Sequence, residues 1–420
     1  MGTENSYDCI VLGGGPAGST TATILADHGH RTLLLERSRF PRHHIGESLM
    51  PQTYDIFARL GVLDKLKASD CPRKASVQFV SANGKESHPF YFTERDPHER
   101  STTWQVRRDE FDQMMLDNAR EHGVEVREGV RAKSVLFDGP RAVGVAAATD
   151  ATNADITAKI VIDATGQSSI IAKQLDLWRP DPDLRNGSIY GYYQGARRGH
   201  GRDAGATIIV HTPDRKVWFW FIPLRDGLNS IGLVAPPAYL FAGRGDDPLA
   251  TLEEEIGNCP WMASRLEGAE RVDRVFVTSD FSYRARRMAG DGWVLVGDAF
   301  CFLDPIYSSG VMLALKSGEM AADAIHDALL LNDVSGERLG SFAADLMTGV
   351  QYIRQLVYAF YDPGFSFGAF VRAHPKYQDH IVRILIGDVF NHDVGEVFEV
   401  MRDWVKLPAP IKLEGSVSAT

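Results

Sequence analysis

The chain has 420 residues, 44% of them apolar and 24% charged, with a formal net charge of −10. That length exceeds one ordinary core and predicts two or three interleaved domains. The acidic balance argues against nucleic acid or an anionic membrane as partner.

Cys9, Cys71, Cys259 and Cys301 are scattered, with no zinc-ligand or CxxC spacing. Neither a metal site nor a disulfide framework is expected. No basic region followed by an apolar one resembles a signal peptide. The apolar runs are strand-sized, far below the ~20 residues of a membrane span. The chain therefore reads as soluble and cytoplasmic.

Tyr7–Leu12 is a short apolar run rich in β-branched residues, the signature of a buried parallel strand. A glycine-rich turn, a helix over Ser19–His28 and a strand over Arg31–Leu35 complete a βαβ unit. Ser76–Phe92 and Ile189–Val234 alternate apolar and polar residues and predict antiparallel sheet with one face covered. Asp112–His122 reads as a helix. Val124–Glu128, Lys159–Asp163 and Trp293–Val296 read as strands. From Gly340 to Trp404 the pattern is helical, broken at Pro363-Gly364, with an irregular tail over Leu407–Thr420.

The turn is Gly13-x-Gly15-x-x-Gly18, with Ala17 inside it and Glu36 and Arg37 at the end of the next strand. The first glycine permits the tight turn, the second lets the backbone approach a pyrophosphate, and the third lets helix and strand pack closely. The helix N-terminus offers free N–H groups to phosphate. Glu36 is placed to accept hydrogen bonds from a ribose diol. Further along, Arg108 precedes a helix and could sit on the pyrophosphate. Asp163-Ala164-Thr165-Gly166 follows a strand, and Gly297-Asp298 joins a strand to a helix, where the aspartate could bond a ribityl hydroxyl.

These motifs, in this order over Tyr7–Gly318, resemble the single-component flavin hydroxylase superfamily. Three more are similar to those of its flavin-dependent halogenases of the pyrrole and phenol type. The first is Trp218-Phe219-Trp220-Phe221-Ile222-Pro223, which matches WxWxIP. The second is Lys74, matched by its distance from Gly46-Glu47-Ser48, although Ser76 stands where the family has glycine. The third is Asp304-Pro305-Ile306-Tyr307-Ser308-Ser309-Gly310. His44 through Ser48 matches the family's HxGES segment beside the flavin.

The resemblance implies an α/β protein: a Rossmann-like FAD-binding domain over residues 1–75, 100–180 and 275–340. An antiparallel β-sheet substrate domain over 76–99 and 181–274 would interrupt it, followed by a C-terminal helical region over 341–406 and a tail over 407–420. It implies FAD, supplied as FADH2 by a separate flavin reductase, with O2 and chloride or bromide. A flavin C4a-hydroperoxide would yield hypohalous acid, guided to a catalytic Lys74. Ser309 and Gly310 would hold the halide in an anion nest. His44, Trp218, Trp220, Ile222, Pro223 and Tyr307 would line the tunnel or touch substrate.

Tryptophan halogenases have a glutamate where Tyr307 stands and are longer. The implied substrate is therefore a phenol or pyrrole, free or tethered to an acyl carrier protein. Phe360, Tyr361, Phe365, Phe367 and Phe370 would cover its cavity. The competing readings are an FAD-dependent aromatic hydroxylase, a flavin reductase of isoprenoid chains and a non-catalytic flavin scaffold.

Overall fold

The computed structural model describes residues 6–149, 152–245, 247–279, 282–390 and 394–414. The βαβ unit consists of strand Ser6–Leu12, helix Pro16–Asp27 and strand Thr32–Glu36. The helix starts ahead of the expected Ser19 because Pro16 occupies its first turn. There a missing N–H is harmless and a fixed φ is already helical.

Five strands run parallel in the order Trp293–Leu295, Asn153–Asp163, Ser6–Leu12, Thr32–Glu36, Glu125–Glu128. Every residue of Thr32–Glu36 is buried, as a strand covered on both faces requires. Helix Pro16–Asp27 packs between Arg108–Glu121 and Ser309–Leu330. Gly318 permits the second crossing, since a Cβ there would lie 2.7 Å from the Ala17 carbonyl oxygen.

A hairpin, Arg131–Asp138 and Arg141–Ala148, continues antiparallel onto the first half of Asn153–Asp163. It is absent from the sequence expectation. Arg131–Asp138 has only one fully buried position, so its apolar alternation is faint.

The second sheet runs Glu270–Arg271, Gly187–Gln194, Leu228–Ala235, Trp218–Pro223, Thr207–His211, Ser76–Val80, Phe90–Tyr91. Two expectations are corrected here. Thr207–His211 and Ser76–Val80 pair parallel, because a long excursion through the first sheet separates them in sequence. Both faces are also covered. Short helices Pro237–Phe241, Pro248–Gly257 and Pro260–Arg265 lie in the segment that reads as sheet.

Strand Trp218–Pro223 is buried throughout and sorts its residues by alternation. Trp218, Trp220 and Ile222 join the main core. Phe219 and Phe221 join a second core with Leu252 and Met262 of the covering helices.

The C-terminal segment is helical over Ala343–Tyr361, Phe367–Ala373, Gln378–Ile386 and Glu396–Met401. The Pro363-Gly364 break falls between the first two. Residues 407–414 carry no helix or strand, and the rest of the expected tail lies outside the described residues. No helix among the described residues is long and apolar enough to cross a membrane.

Candidate functional site

A cavity of about 810 Å³ runs between the two sheets. At one end it is lined by Gly13, Gly15, Ala17, Glu36, Arg37 and Gly166. The middle carries His44, Gly46, Glu47, Ser48, Arg108, Asp298 and Gly310, and the far end Trp220, Ile222 and Thr207. Fifteen of the sequence-expected site residues therefore meet in one space.

The glycines differ in what they permit. Gly13 has φ +103°, and a Cβ on it would lie 2.4 Å from the Ala164 carbonyl oxygen. A Cβ on Gly18 would lie 1.9 Å from the Gly13 carbonyl oxygen. At Gly15 a Cβ would meet only an Arg42 guanidinium nitrogen, at 3.5 Å. The space over Gly15 is thus open to the cavity, and no side chain caps the helix it begins. An open helix N-terminus with bare backbone beside an arginine suits a pyrophosphate.

Glu36 accepts from the Gly14 and Ser38 amides, both at 2.8 Å, one on each carboxylate oxygen. Each oxygen keeps a lone pair toward the cavity, which suits a ribose diol. These features fit the FAD that the sequence motifs imply.

Other expected cofactor residues stand behind the wall. The Asp163 carboxylate accepts from the Thr165 amide and hydroxyl and from the Ile171 amide, at 3.0, 2.6 and 2.7 Å. It therefore shapes the turn that presents Gly166. Gly297 is buried between helices, its amide donating to Ser317 Oγ at 2.8 Å. Gly18 is likewise internal.

Arg108 lines the cavity, but each guanidinium nitrogen is engaged. It grips Asp112 with Nε and Nη2 at 2.7 and 3.0 Å, and Nη1 donates to the Ile45 carbonyl at 2.7 Å. It positions the Gly46–Ser48 loop. Arg42, which the sequence reading passed over, pairs with Asp112 at 3.0 Å and stands nearer the Gly15 turn.

Lys74 sits on the short strand Arg73–Lys74, paired with Thr103–Trp104. It is buried, one hydrogen bond behind the cavity wall. Its Nζ donates to Ser48 Oγ at 2.8 Å and to the Leu49 carbonyl at 2.9 Å. Ser48 Oγ in turn lies 2.8 Å from Thr207 Oγ1. Burial lowers the Lys74 ammonium from 10.5 to about 7. A carboxylate partner would oppose that shift, and none of the lysine's hydrogen bonds goes to one.

Helix Ser309–Leu330 opens at the cavity. Its cap, Ser308, has φ +58° and makes no side-chain cap hydrogen bond. Gly310 lines the cavity, and Ser309 is buried beside it. The first N–H groups of this helix are thus open to an anion.

The tunnel set divides. His44, Trp220 and Ile222 line the cavity, whereas Trp218, Pro223 and Tyr307 do not. Tyr307 points the other way, its hydroxyl donating to the Leu356 carbonyl at 3.1 Å. Trp218 Nε1 donates to the Tyr361 hydroxyl at 2.9 Å, which donates to Asp304 Oδ2 at 2.9 Å. The aromatic group divides as well. Phe360 packs on Trp218 and Tyr307, while Phe365, Phe367 and Phe370 pack with one another and Phe370 also with Trp404.

The comparisons with known proteins decide the family. Residues 6–318 match the model described as FAD binding domain. A 1H-pyrrole-2-carbonyl-[peptidyl-carrier protein] chlorinase of Pseudomonas fluorescens is 31% identical, over 96% of this chain and 93% of that one. The chain belongs to the flavin-dependent halogenases. A 1H-pyrrole-2-carbonyl-[peptidyl-carrier protein] brominase of Pseudoalteromonas luteoviolacea is also 31% identical, over 93% and 94%.

Among solved structures, a flavin-dependent brominase superposes with TM-score 0.86 at 28% identity, covering 95% of this chain and 99% of that one. The myxobacterial chondrochloren halogenase superposes with TM-score 0.81 at 34% identity, covering 93% and 91%. As a flavin-dependent halogenase the chain is an FAD-dependent enzyme that uses O2 and a halide.

Proposed function

We propose that this halogenase transfers chloride- or bromide-derived halogen to an electron-rich pyrrole or phenol, in the first instance a pyrrolyl group held as a thioester on a carrier protein. The observation that carries the reading is the cavity itself. It joins the Gly15 cradle, the uncapped helix start at Gly310, and Ser48, the hydrogen-bond partner of Lys74, along one continuous space. The two pyrrolyl-carrier-protein relatives align over more than nine-tenths of their length, which supports the substrate class.

Gly15, Ala17 and Arg42 would hold the FAD pyrophosphate, Glu36 the ribose, and Asp298 the ribityl chain. The backbone of Gly46–Ser48 would lie against the ring. Bound as FADH2, the cofactor would activate O2, which is the oxidant that turns halide into hypohalous acid. The amides of Ser309 and Gly310 hold the halide. As the family resemblance implies, a separate flavin reductase would supply the reduced cofactor.

Trp220 and Ile222 keep the arene from the flavin and exclude water, so that hypohalous acid is not dissipated before it reaches substrate. Burial brings Lys74 down to about 7, so both its amine and its ammonium form are accessible at neutral pH. As amine, its two hydrogens would be tied to Ser48 and Leu49, leaving the nitrogen lone pair as the group that takes up halogen. As ammonium it has one further hydrogen to donate to the hypohalous oxygen.

The test is to supply the protein with FAD, a reductase, NADH and bromide, and to offer pyrrolyl-carrier, pyrrole and phenol substrates. Mass spectrometry should show the halogen isotope pattern, lost in Lys74→Ala. A product that gains oxygen alone and is unchanged by Lys74→Ala would replace this reading with a hydroxylase.

A further inference from the structure

Glu47 is 2% exposed and lines the cavity. Its carboxyl lies beside the hydroxyls of Ser230 and Tyr192, on the strands that carry the far wall. Its Oε2 is buried and has no hydrogen-bond partner. Ser230 Oγ also accepts from Trp220 Nε1 at 3.1 Å, so the carboxyl is tied to the tryptophan that lines the tunnel. The next residue is Ser48, which accepts the Lys74 hydrogen bond. Glu47 thus brings one bare carboxyl oxygen to the tunnel wall, one residue from the lysine's partner.

The reaction needs such a group. When the arene's π electrons attack the halogen of hypohalous acid, the C–X bond forms and the X–O bond breaks, its electron pair remaining on oxygen. That oxygen must take up a proton to leave as water. The ring carbon must then lose its own proton to restore aromaticity.

We propose that Glu47 performs both transfers: as the neutral acid it protonates the departing oxygen, and as the resulting carboxylate it takes the ring proton. Arene and hypohalous acid become haloarene and water, and Glu47 returns to its starting form.

The inference rests on the halogenase reading above. Burial supports it by raising the carboxyl to about 7, with Ser230, Tyr192 and Arg108 holding it down and Asp109 pushing it further up. The other raised carboxyls fit the role less well. Asp304 has both oxygens engaged, by the Ile306 amide and the Tyr361 hydroxyl, and does not line the cavity. Asp298 lines the cavity next to Gly297, where it would hold the ribityl chain of FAD.

The experiment compares wild type, Glu47→Gln and Glu47→Ala with FAD, a reductase, NADH and bromide. One arm contains a 1,3-diketone that traps free hypobromite. The other contains a pantetheine thioester of pyrrole-2-carboxylate. The ratio of halogenated pyrrole to trapped hypobromite should fall about 100-fold in Glu47→Gln, the usual weight of a general acid–base group.

Formate added to Glu47→Ala should restore part of the ratio, because a small acid can occupy the vacated space. An unchanged ratio overturns the inference, as does the absence of formate rescue. Wild type that yields neither hypobromite nor halopyrrole instead overturns the halogenase reading itself.

Discussion

Replacing Lys74 with methionine should abolish halogenation while making the protein more stable at neutral pH. Lys74 is 4% exposed, and burial is the cause that lowers its ammonium from 10.5 to about 7. At about 1.36 kcal/mol per pH unit, that gap is about 5 kcal/mol against carrying the charge in the fold. Between those two pH values the unfolded chain holds the proton and the folded chain does not. Wild-type stability therefore rises as pH rises through the window.

Removing the amine relieves about 4 kcal/mol near pH 7 and about 2 kcal/mol near pH 9. The hydrogen bonds to Ser48 Oγ and the Leu49 carbonyl are lost, at about 1 kcal/mol each. Lys74→Met should thus gain about 2 kcal/mol near pH 7 and nothing near pH 9, read by urea denaturation followed through tryptophan fluorescence. A variant less stable than wild type near neutrality would refute the reasoning. So would a difference between the two that does not shrink toward alkaline pH.

Three further outcomes follow from glycine geometry. Gly15→Ala places its methyl 3.5 Å from a mobile Arg42 nitrogen and should leave the apoprotein's stability unchanged while weakening FAD binding at least about tenfold. Gly18→Ala places its methyl 1.9 Å from a backbone oxygen and should prevent the βαβ unit from forming at all, seen as lost soluble yield. Gly232→Ala would set a Cβ 2.1 Å from Trp220 Cζ2 and 2.5 Å from Tyr190 Cβ. Trp220 must then leave the wall, at about 1–3 kcal/mol of stability. Trapped hypohalite should rise relative to haloarene, and an unchanged ratio would mean that Trp220 does not seal the path.

What was legible in the sequence followed distance along the chain. The Gly13–Gly18 turn and Glu36 act on neighbours within one βαβ unit, so their spacing reveals them. Arg108 was read as a phosphate ligand because an arginine before a helix suits one. Yet Asp112, one turn later, was already visible as the partner that takes an exposed or buried arginine at that spacing. Tyr307 and Trp218 carry family motifs, but a motif does not say which way a side chain turns. Tyr307 turns to the helix Ala343–Tyr361, and only the fold shows it. Thr207, Ser230 and Tyr192 come from three strands whose pairing is long-range, and no local pattern marks them.

Desolvation explains why several groups around this cavity gather near neutrality. It pulls Lys74 down to about 7 and pushes Glu47, Asp298 and Asp304 up to about 7. An acid and a base that differ by some six pH units in water thus become interchangeable as proton donors here. Trp220 and Ile222 are buried in the wall that Glu47 shares, so the packing that would exclude water from the path also desolvates that carboxyl. A wetter cavity would return Lys74 to a permanent ammonium and Glu47 to a permanent carboxylate. The first would lose its lone pair and the second its proton. Keeping hypohalous acid from water and keeping the proton-transfer groups near neutral pH are therefore one requirement, met by the same packing.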